Sequence, residues 1–291
     1  MISGFSIILD NDIIYCSNEK TYTSFEIILF IEKLIRSINP KSVWRLDSIL
    51  LENPQGQLER ILIKHIINNN ENIFYCILGD FEADSPGAFK MLNEFYGKVE
   101  SAYSSGSTLK EVFNNSMKKD MINVATEFIK LKYEKIIGKG SVSKFFGVNG
   151  DLNQIMYCGI SNQGLPIISQ LYDEEMLINL SREANDSNIE LFTSNLSAKL
   201  ATITMNTIIR TNRYIKEIHI KNMEDTINNI FILYGYMDGY SLDFIASGKF
   251  EVIKNLFEEL RDKISKESVL QHGTGFISIS VLITDSQFLQ Y

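Results

Sequence analysis

The sequence is poor in the residues and patterns that mark reactive chemistry. Its 291 residues include three cysteines and three histidines. No HExxH, CxxC or Gly-x-Ser-x-Gly motif occurs. Cys16, Cys76 and Cys158 lie far apart, each inside an apolar strand-like run, so we expect small buried hydrophobes rather than metal ligands. This use of cysteine suits a reducing compartment.

The histidines and glycine-rich segments also lack catalytic context. His65, His219 and His272 are widely separated, and no nucleophile or acidic partner is tied to them locally, which favours structural or surface roles. The stretch GKGSVSKFFG (138–147) lacks the third glycine of a kinase loop and is interpreted as a linker. No Gly-x-x-x-x-Gly-Lys-Ser/Thr occurs, which excludes a GTPase of that mechanism. We therefore predict no catalytic residue, no cofactor, no metal and no enzymatic activity.

Concentrated positive charge and long apolar runs are absent as well. The formal charge of -8 and the pI near 5.1 argue against nucleic-acid binding, because neutralising phosphates requires clustered Lys and Arg. No apolar run approaches the ~20 residues that span a bilayer, and no basic leader opens the chain. We expect a cytoplasmic protein with at most peripheral membrane association through its partners.

What is present is a large hydrophobic fraction, 45%, arranged in two series of elements. The first series begins with a hairpin around Asp10-Asn11-Asp12 and continues with a helix that Ser24 caps and Asn39-Pro40 ends. Three strands follow, at 42–51, 56–67 and 72–81. Ser85 then caps a helix through Tyr103, with Pro86 in the first helical position.

A longer helical pattern completes the first series. It runs toward the Gly138-Lys139-Gly140 break, and its apolar positions are Leu109, Val112, Phe113, Met117, Met121, Val124, Phe128 and Leu131.

The second series repeats the order of the first. A hairpin at 154–172 precedes a helix at 188–210, strands at 214–220, 226–237 and 240–247, and a helix at 250–264. The two series share no evident residue identity, so the repetition is one of architecture.

The predicted fold class is α+β. Each half is expected to be a β-β-α-β-β-β-α unit with a five-stranded antiparallel sheet and helices on its faces. The predicted boundaries are a first domain at 1–137, a linker at 138–150, a second domain at 151–266 and a tail at 267–291 with a possible edge strand, GFISISVLI (275–283).

This order resembles that of longin domains and of their shorter relatives, the roadblock domains. GISNQGLPIISQLYDEE (159–175) is similar to the opening hairpin of longin subunits in Rab-activating exchange-factor complexes. LFTSNLSAK (191–199) is similar to the start of the first helix in longin and roadblock proteins of archaea related to eukaryotes. In the first half the most similar piece is FYCILGDFEADSPGAFKML (74–92).

The resemblance implies a non-enzymatic scaffold of membrane-traffic or GTPase-regulatory complexes. Its implied partners are a small Ras-like GTPase, another longin or roadblock protein, or a second copy of itself. The candidate partner-binding residues are Trp44, Leu165, Pro166, Asp173 and Glu174. Trp44 also suits a core, and the acidic pair also suits a solvated surface.

An alternative interpretation stays open. Hairpin-helix-sheet domains of this size also resemble PAS-like or profilin-like sensors, or an enzyme of unknown reaction, which would hold a small molecule between sheet and helix.

Overall fold

The computed structural model describes residues 1–38, 44–68, 71–102, 108–137, 153–162, 164–173, 189–223, 229–237 and 239–266. Over these residues the protein is α+β, with antiparallel β-sheet of ten strands in all and six α-helices. The predicted linker (138–150) and the predicted tail (267–291) lie outside the described residues.

The chain divides into two compact units. The first comprises Met1–Phe30, Leu46–Phe146 and Arg210–Tyr214. The second comprises Ile31–Arg45, Gly147–Ile209 and Ile215–Tyr291.

The first half of the chain contains five strands and four helices. They are β1 (Ile2–Leu9), β2 (Asp12–Cys16), α1 (Tyr22–Ile38), β3 (Trp44–Glu52), β4 (Leu58–Asn68), β5 (Glu71–Gly79), α2 (Pro86–Ala102), α3 (Leu109–Asn114) and α4 (Ser116–Ile137). Hydrogen bonds order the strands β2-β1-β5-β4-β3, and every pair is antiparallel. The predicted hairpin, three strands and helix from Pro86 are confirmed.

The second half contains five strands and two helices. They are β6 (Gln154–Asn162), β7 (Leu165–Leu171), α5 (Ile189–Thr211), β8 (Tyr214–Asn222), β9 (Ile230–Met237), β10 (Tyr240–Ser247) and α6 (Phe250–Lys266). The strands are ordered β8-β9-β10-β6-β7, again antiparallel throughout. The hairpin, the three strands β8, β9 and β10 and the final helix occur as predicted.

Each half has a core on one face of its strands. In the first, Phe95 of α2 contacts Phe5 at a ring separation of 5.1 Å, and Tyr15 contacts Phe113 of α3 at 5.2 Å. In the second, α6 places Ile253, Phe257, Leu260 and Ile264 against the sheet. These four positions repeat at helical spacing, which is why the sequence identified this stripe correctly.

Two predictions about helices are wrong. Ser24 does not cap α1, because the helix already begins at Tyr22 and Ser24 is buried inside it. Asn18 instead caps a preceding 3-10 turn, Glu19–Thr21, by accepting a hydrogen bond from the Lys20 backbone N–H. The long helix from Leu109 is also two helices, since Asn115 adopts an extended conformation between α3 and α4.

The expected face of α4 is wrong as well. Leu109, Val112 and Phe113 of α3 are buried, but the apolar residues that continue the pattern along α4 are exposed. The side of α4 that packs into the core instead carries Ile122, Thr126, Ile129 and Tyr133.

Candidate functional site

The predicted partner-binding residues occupy different environments. Trp44, at the start of β3, is only 9% exposed, which favours the core interpretation for this side chain. Leu165 and Pro166 are exposed at the start of β7. Asp173 is half-buried just beyond the other end of that strand. It follows Leu165 by eight residues, which corresponds to roughly 25 Å in an extended strand. Glu174 lies outside the described residues.

The start of β7 forms a small apolar surface, which we call the β7 edge surface: Leu165, Pro166 and Ile167. Leu165 is 73% exposed and Ile167 is 51% exposed. β7 is the last strand in the order of its half and pairs with β6. Pro166 has no N–H, so at that position β7 cannot donate a ladder hydrogen bond to an added strand.

The turn before β7 holds this surface in place. Gly164 has a φ of 84°, a left-handed conformation that strains other residues. A Cβ built on Gly164 would lie 3.7 to 3.9 Å from Met205 of α5, so the turn lies against that helix. The β7 edge surface is therefore supported by a helix rather than carried by a free loop.

A second feature of the same half is a buried polar cluster, formed by Asp243, Ser241, Ser161, Tyr157 and Tyr234. Asp243 is fully buried in β10, directly opposite Gly159 of β6 and Tyr234 of β9. The Ser241 hydroxyl donates to Asp243 Oδ1 at 3.0 Å and lies 2.6 Å from the Ser161 hydroxyl. Among the described atoms, Asp243 Oδ2 and the Tyr234 hydroxyl make no hydrogen bond.

Gly159 gives this cluster its space. A Cβ at that position would lie 2.1 Å from the Tyr157 hydroxyl, so the Tyr157 side chain occupies the volume that any other residue would fill. Tyr157 is fully buried, and among the described atoms neither its hydroxyl nor the hydroxyl of Ser197 on α5 makes a hydrogen bond. Burial raises the pKa of Tyr157.

The electrostatics of the cluster are dominated by burial. Burial raises the pKa of Asp243 from 3.8 to about 7, against the opposing effect of the Ser241 hydrogen bond. Burial and the neighbouring Asp243 together raise the pKa of Tyr234 well above 10.0. The cluster therefore holds one carboxyl that gains or loses its proton near neutral pH, surrounded by hydroxyls that stay protonated.

Glu217 and His219 form a second buried polar group on β8. Glu217 Oε2 lies 3.2 Å from His219 Nε2, and Lys254 of α6 donates to Glu217 Oε1 at 3.2 Å. The His219 ring also packs against Phe231 and Phe250, at ring separations of 5.0 and 4.5 Å. The expectation that no acidic partner is tied to His219 is wrong, because residues two apart on a strand face the same side.

His65 has a structural environment. Its ring stacks on Phe74 at 4.1 Å, and its Nε2 lies 3.2 Å from Asn72 Oδ1. The cysteines behave largely as expected, since Cys76 and Cys158 are buried and Cys16 is half-buried. His272 lies outside the described residues.

Sequence reasoning missed the polar cluster although a signal was present. In YSLDFIAS (240–247) Asp243 is the single charged residue, in the middle of the strand. Its alternation with Leu242 and Phe244 places it on the face opposite the α6 core, but only the fold shows that this second face is also buried.

The part of the chain that the structure describes holds neither a metal-binding group of side chains nor a membrane-spanning helix. Among them, no group of three or more His, Cys, Asp or Glu side chains is placed to hold a metal ion. None of the helices within the described ranges combines the length and the apolar character needed to cross a bilayer. No protein-family model matches the chain, and no curated protein matches it significantly.

Proposed function

We propose that the protein is a non-enzymatic scaffold built from two longin-like domains. Its partner is a small Ras-like GTPase, and the complex belongs to membrane traffic or GTPase regulation. A longin or roadblock subunit is a further partner in this proposal. In it, each run of five strands, with its helices, is one longin-like domain.

One observation carries the proposal: both halves use the same strand order. Numbered within each half, the strands follow 2-1-5-4-3, and the first helix lies between strands two and three. The first strand of each half therefore pairs with both its hairpin partner and the last strand. This repetition supports a tandem of one architecture, and it agrees with the longin element order on which the resemblance rests.

The β7 edge surface is the proposed docking site for the GTPase. Leu165 and Ile167 are large, exposed apolar side chains at the start of the strand, where a shift in the pairing register with β6 leaves Ile167 without a partner residue. Because Pro166 interrupts the donors of this edge, we expect recognition through side chains rather than through an added strand. Asp173 stays a predicted contact at the far end of β7.

Calorimetry tests this proposal. The purified protein is titrated with Ras-like GTPases of the source organism, each loaded with GDP or with a non-hydrolysable GTP analogue. The double variant Leu165→Glu, Ile167→Glu is compared with Ile209→Glu, which alters an apolar residue of α5 that is also 72% exposed. We expect the double variant to weaken binding at least tenfold, because two apolar contacts are replaced by charges, whereas the control binds normally.

Three results would contradict parts of the proposal. Failure of the wild-type protein to bind any GTPase would refute the GTPase partner. Normal binding by the double variant would refute the β7 edge surface as the docking site. A melting temperature raised by a small metabolite, with no GTPase binding, would instead support the sensor alternative.

A further inference from the structure

α4 is apolar on two opposite faces. One face carries Ile122, Thr126, Ile129 and Tyr133 and is buried against the rest of the first unit. The other carries five large apolar side chains that are 60 to 73% exposed. We call this second face the α4 stripe; it consists of Met117, Met121, Val124, Phe128 and Leu131.

A soluble helix that packs on one side normally carries polar residues on the other. The five side chains of the α4 stripe instead expose several hundred Å² of contiguous apolar surface, the size at which an exposed patch marks an interaction site. The spacing within the stripe is also regular. Successive members are four, three, four and three residues apart, which is the spacing of the a and d positions of a coiled coil.

We propose that the α4 stripe binds the α4 stripe of a second copy of this chain, as a short parallel two-stranded coiled coil. In this register Met121 and Phe128 lie at the heptad positions called a, and Met117, Val124 and Leu131 lie at the positions called d. This interface is independent of the GTPase-binding proposal, because it uses a helix of the first half rather than the β7 edge surface and binds a different partner.

The charges beside the stripe select a second copy in parallel orientation. Asp120 and Glu127 occupy the g positions, and Lys118 and Lys132 occupy e positions. In a parallel dimer each Glu127 lies beside the second copy's Lys132, which is an attractive pair formed twice. An antiparallel dimer centred on Val124 would instead place Asp120 beside Glu127 and Lys118 beside Lys132, and so juxtapose like charges at both margins.

Intrachain contacts hold Lys132 at the margin of the stripe. Its Nζ donates to Glu94 Oε2 of α2 at 2.6 Å, while its side chain stays 45% exposed. The ammonium has two further protons to donate, so it is able to bind Glu127 of the second copy without breaking this bond. The contact spans only two heptads. The area that it buries is therefore well below that of a standard interface, which is roughly 800 Å² per partner. We expect a dissociation constant in the micromolar range.

Sedimentation equilibrium of the full chain over a range of concentrations tests for the dimer. The variant Val124→Glu removes an apolar residue at the centre of the stripe. Its matched control is Ile209→Glu, since both side chains are 72% exposed in helices. We expect Val124→Glu to raise the dissociation constant at least tenfold while its circular dichroism and melting temperature match those of the control.

Disulfide trapping tests the orientation. In a parallel dimer the Met117→Cys variant, and separately the Leu131→Cys variant, each form a covalent dimer under mild oxidation, because identical d positions face each other. An antiparallel dimer would trap efficiently only when the two variants are mixed. Oxidised wild-type protein, with its three native cysteines, gives the background.

The proposal is overturned by three results. A wild-type protein that stays monomeric at hundreds of micromolar would refute the dimer. Equal association of Val124→Glu and wild-type protein would move the interface away from α4. A monomer in which the thiol of the Met117→Cys variant resists alkylation would mean that the chain's own residues cover the stripe.

Discussion

The burial of Asp243 predicts a pH dependence of stability that one substitution removes. Raising its pKa from 3.8 to about 7 makes ionisation in the folded state cost roughly 4 kcal/mol, at about 1.36 kcal/mol per pKa unit. Below pH 3.8 the carboxyl is protonated in both the folded and the unfolded state, so the full stability is present. The loss grows as the pH rises and is complete above about pH 7.

The variant Asp243→Asn keeps the shape of the side chain and cannot ionise. Its amide oxygen is able to accept from Ser241, as Oδ1 of the aspartate does. We therefore expect the free energy of unfolding of the variant, relative to wild type, to increase by roughly 2 to 3 kcal/mol between pH 5 and pH 8. All other titrating groups are common to both proteins, so their contributions cancel in this difference.

Urea unfolding at pH 5, 6, 7 and 8 measures the effect. Fluorescence of Trp44, the single tryptophan, is a suitable probe because Trp44 and Asp243 belong to the same compact unit. The control is Asp262→Asn on α6, whose side chain is 61% exposed and which we expect to change stability by less than about 0.5 kcal/mol at any pH. Parallel pH profiles for wild type and Asp243→Asn would refute the claim that Asp243 is buried without charge compensation.

Three further substitutions test the packing. Gly159→Ala forces its Cβ against the Tyr157 hydroxyl and should cost about 2 kcal/mol or more by thermal unfolding; an unchanged melting temperature would argue against this packing. Thr108→Ala removes the capping box with Glu111 and should cost about 1 kcal/mol, whereas Thr108→Ser should restore it. Phe95→Ala should cost about 3 to 5 kcal/mol, because it empties the centre of the first core; a loss below 1 kcal/mol would contradict that role.

Much of the fold was predictable from the sequence because local signals agreed. The turns after Leu9 and Asn162 separate alternating apolar runs, and Ser85-Pro86 begins α2 where predicted. The bounds of β10 also match, and so does the buried stripe of α6, because its members recur at helical spacing. Strand order depends on contacts between residues far apart in sequence, so periodicity alone does not determine it.

The candidate sites were harder to predict than the fold. Leu165 and Pro166, which we propose from the sequence as partner-binding residues, lie exposed at the start of β7, and their role stays a prediction. The cluster around Asp243 was missed because its members come from three strands, and β6, β9 and β10 bring them together only through their pairing register. The partner Glu217 of His219 lay two residues away and was predictable from strand alternation.

The misassigned face of α4 shows where periodicity reaches its limit. The sequence of this helix contains two apolar stripes, and the one with Met117, Met121, Val124, Phe128 and Leu131 is longer and bulkier than the one that is buried. Periodicity alone therefore favours the wrong face. In the structure, polar contacts of Thr126 and Tyr133 determine which face of α4 is buried. Thr126 lies beside the Tyr15 hydroxyl, and the Tyr133 hydroxyl donates to Glu94. Because polar contacts fix the weaker stripe inward, the stronger stripe is left facing outward over the part of the chain that the structure describes.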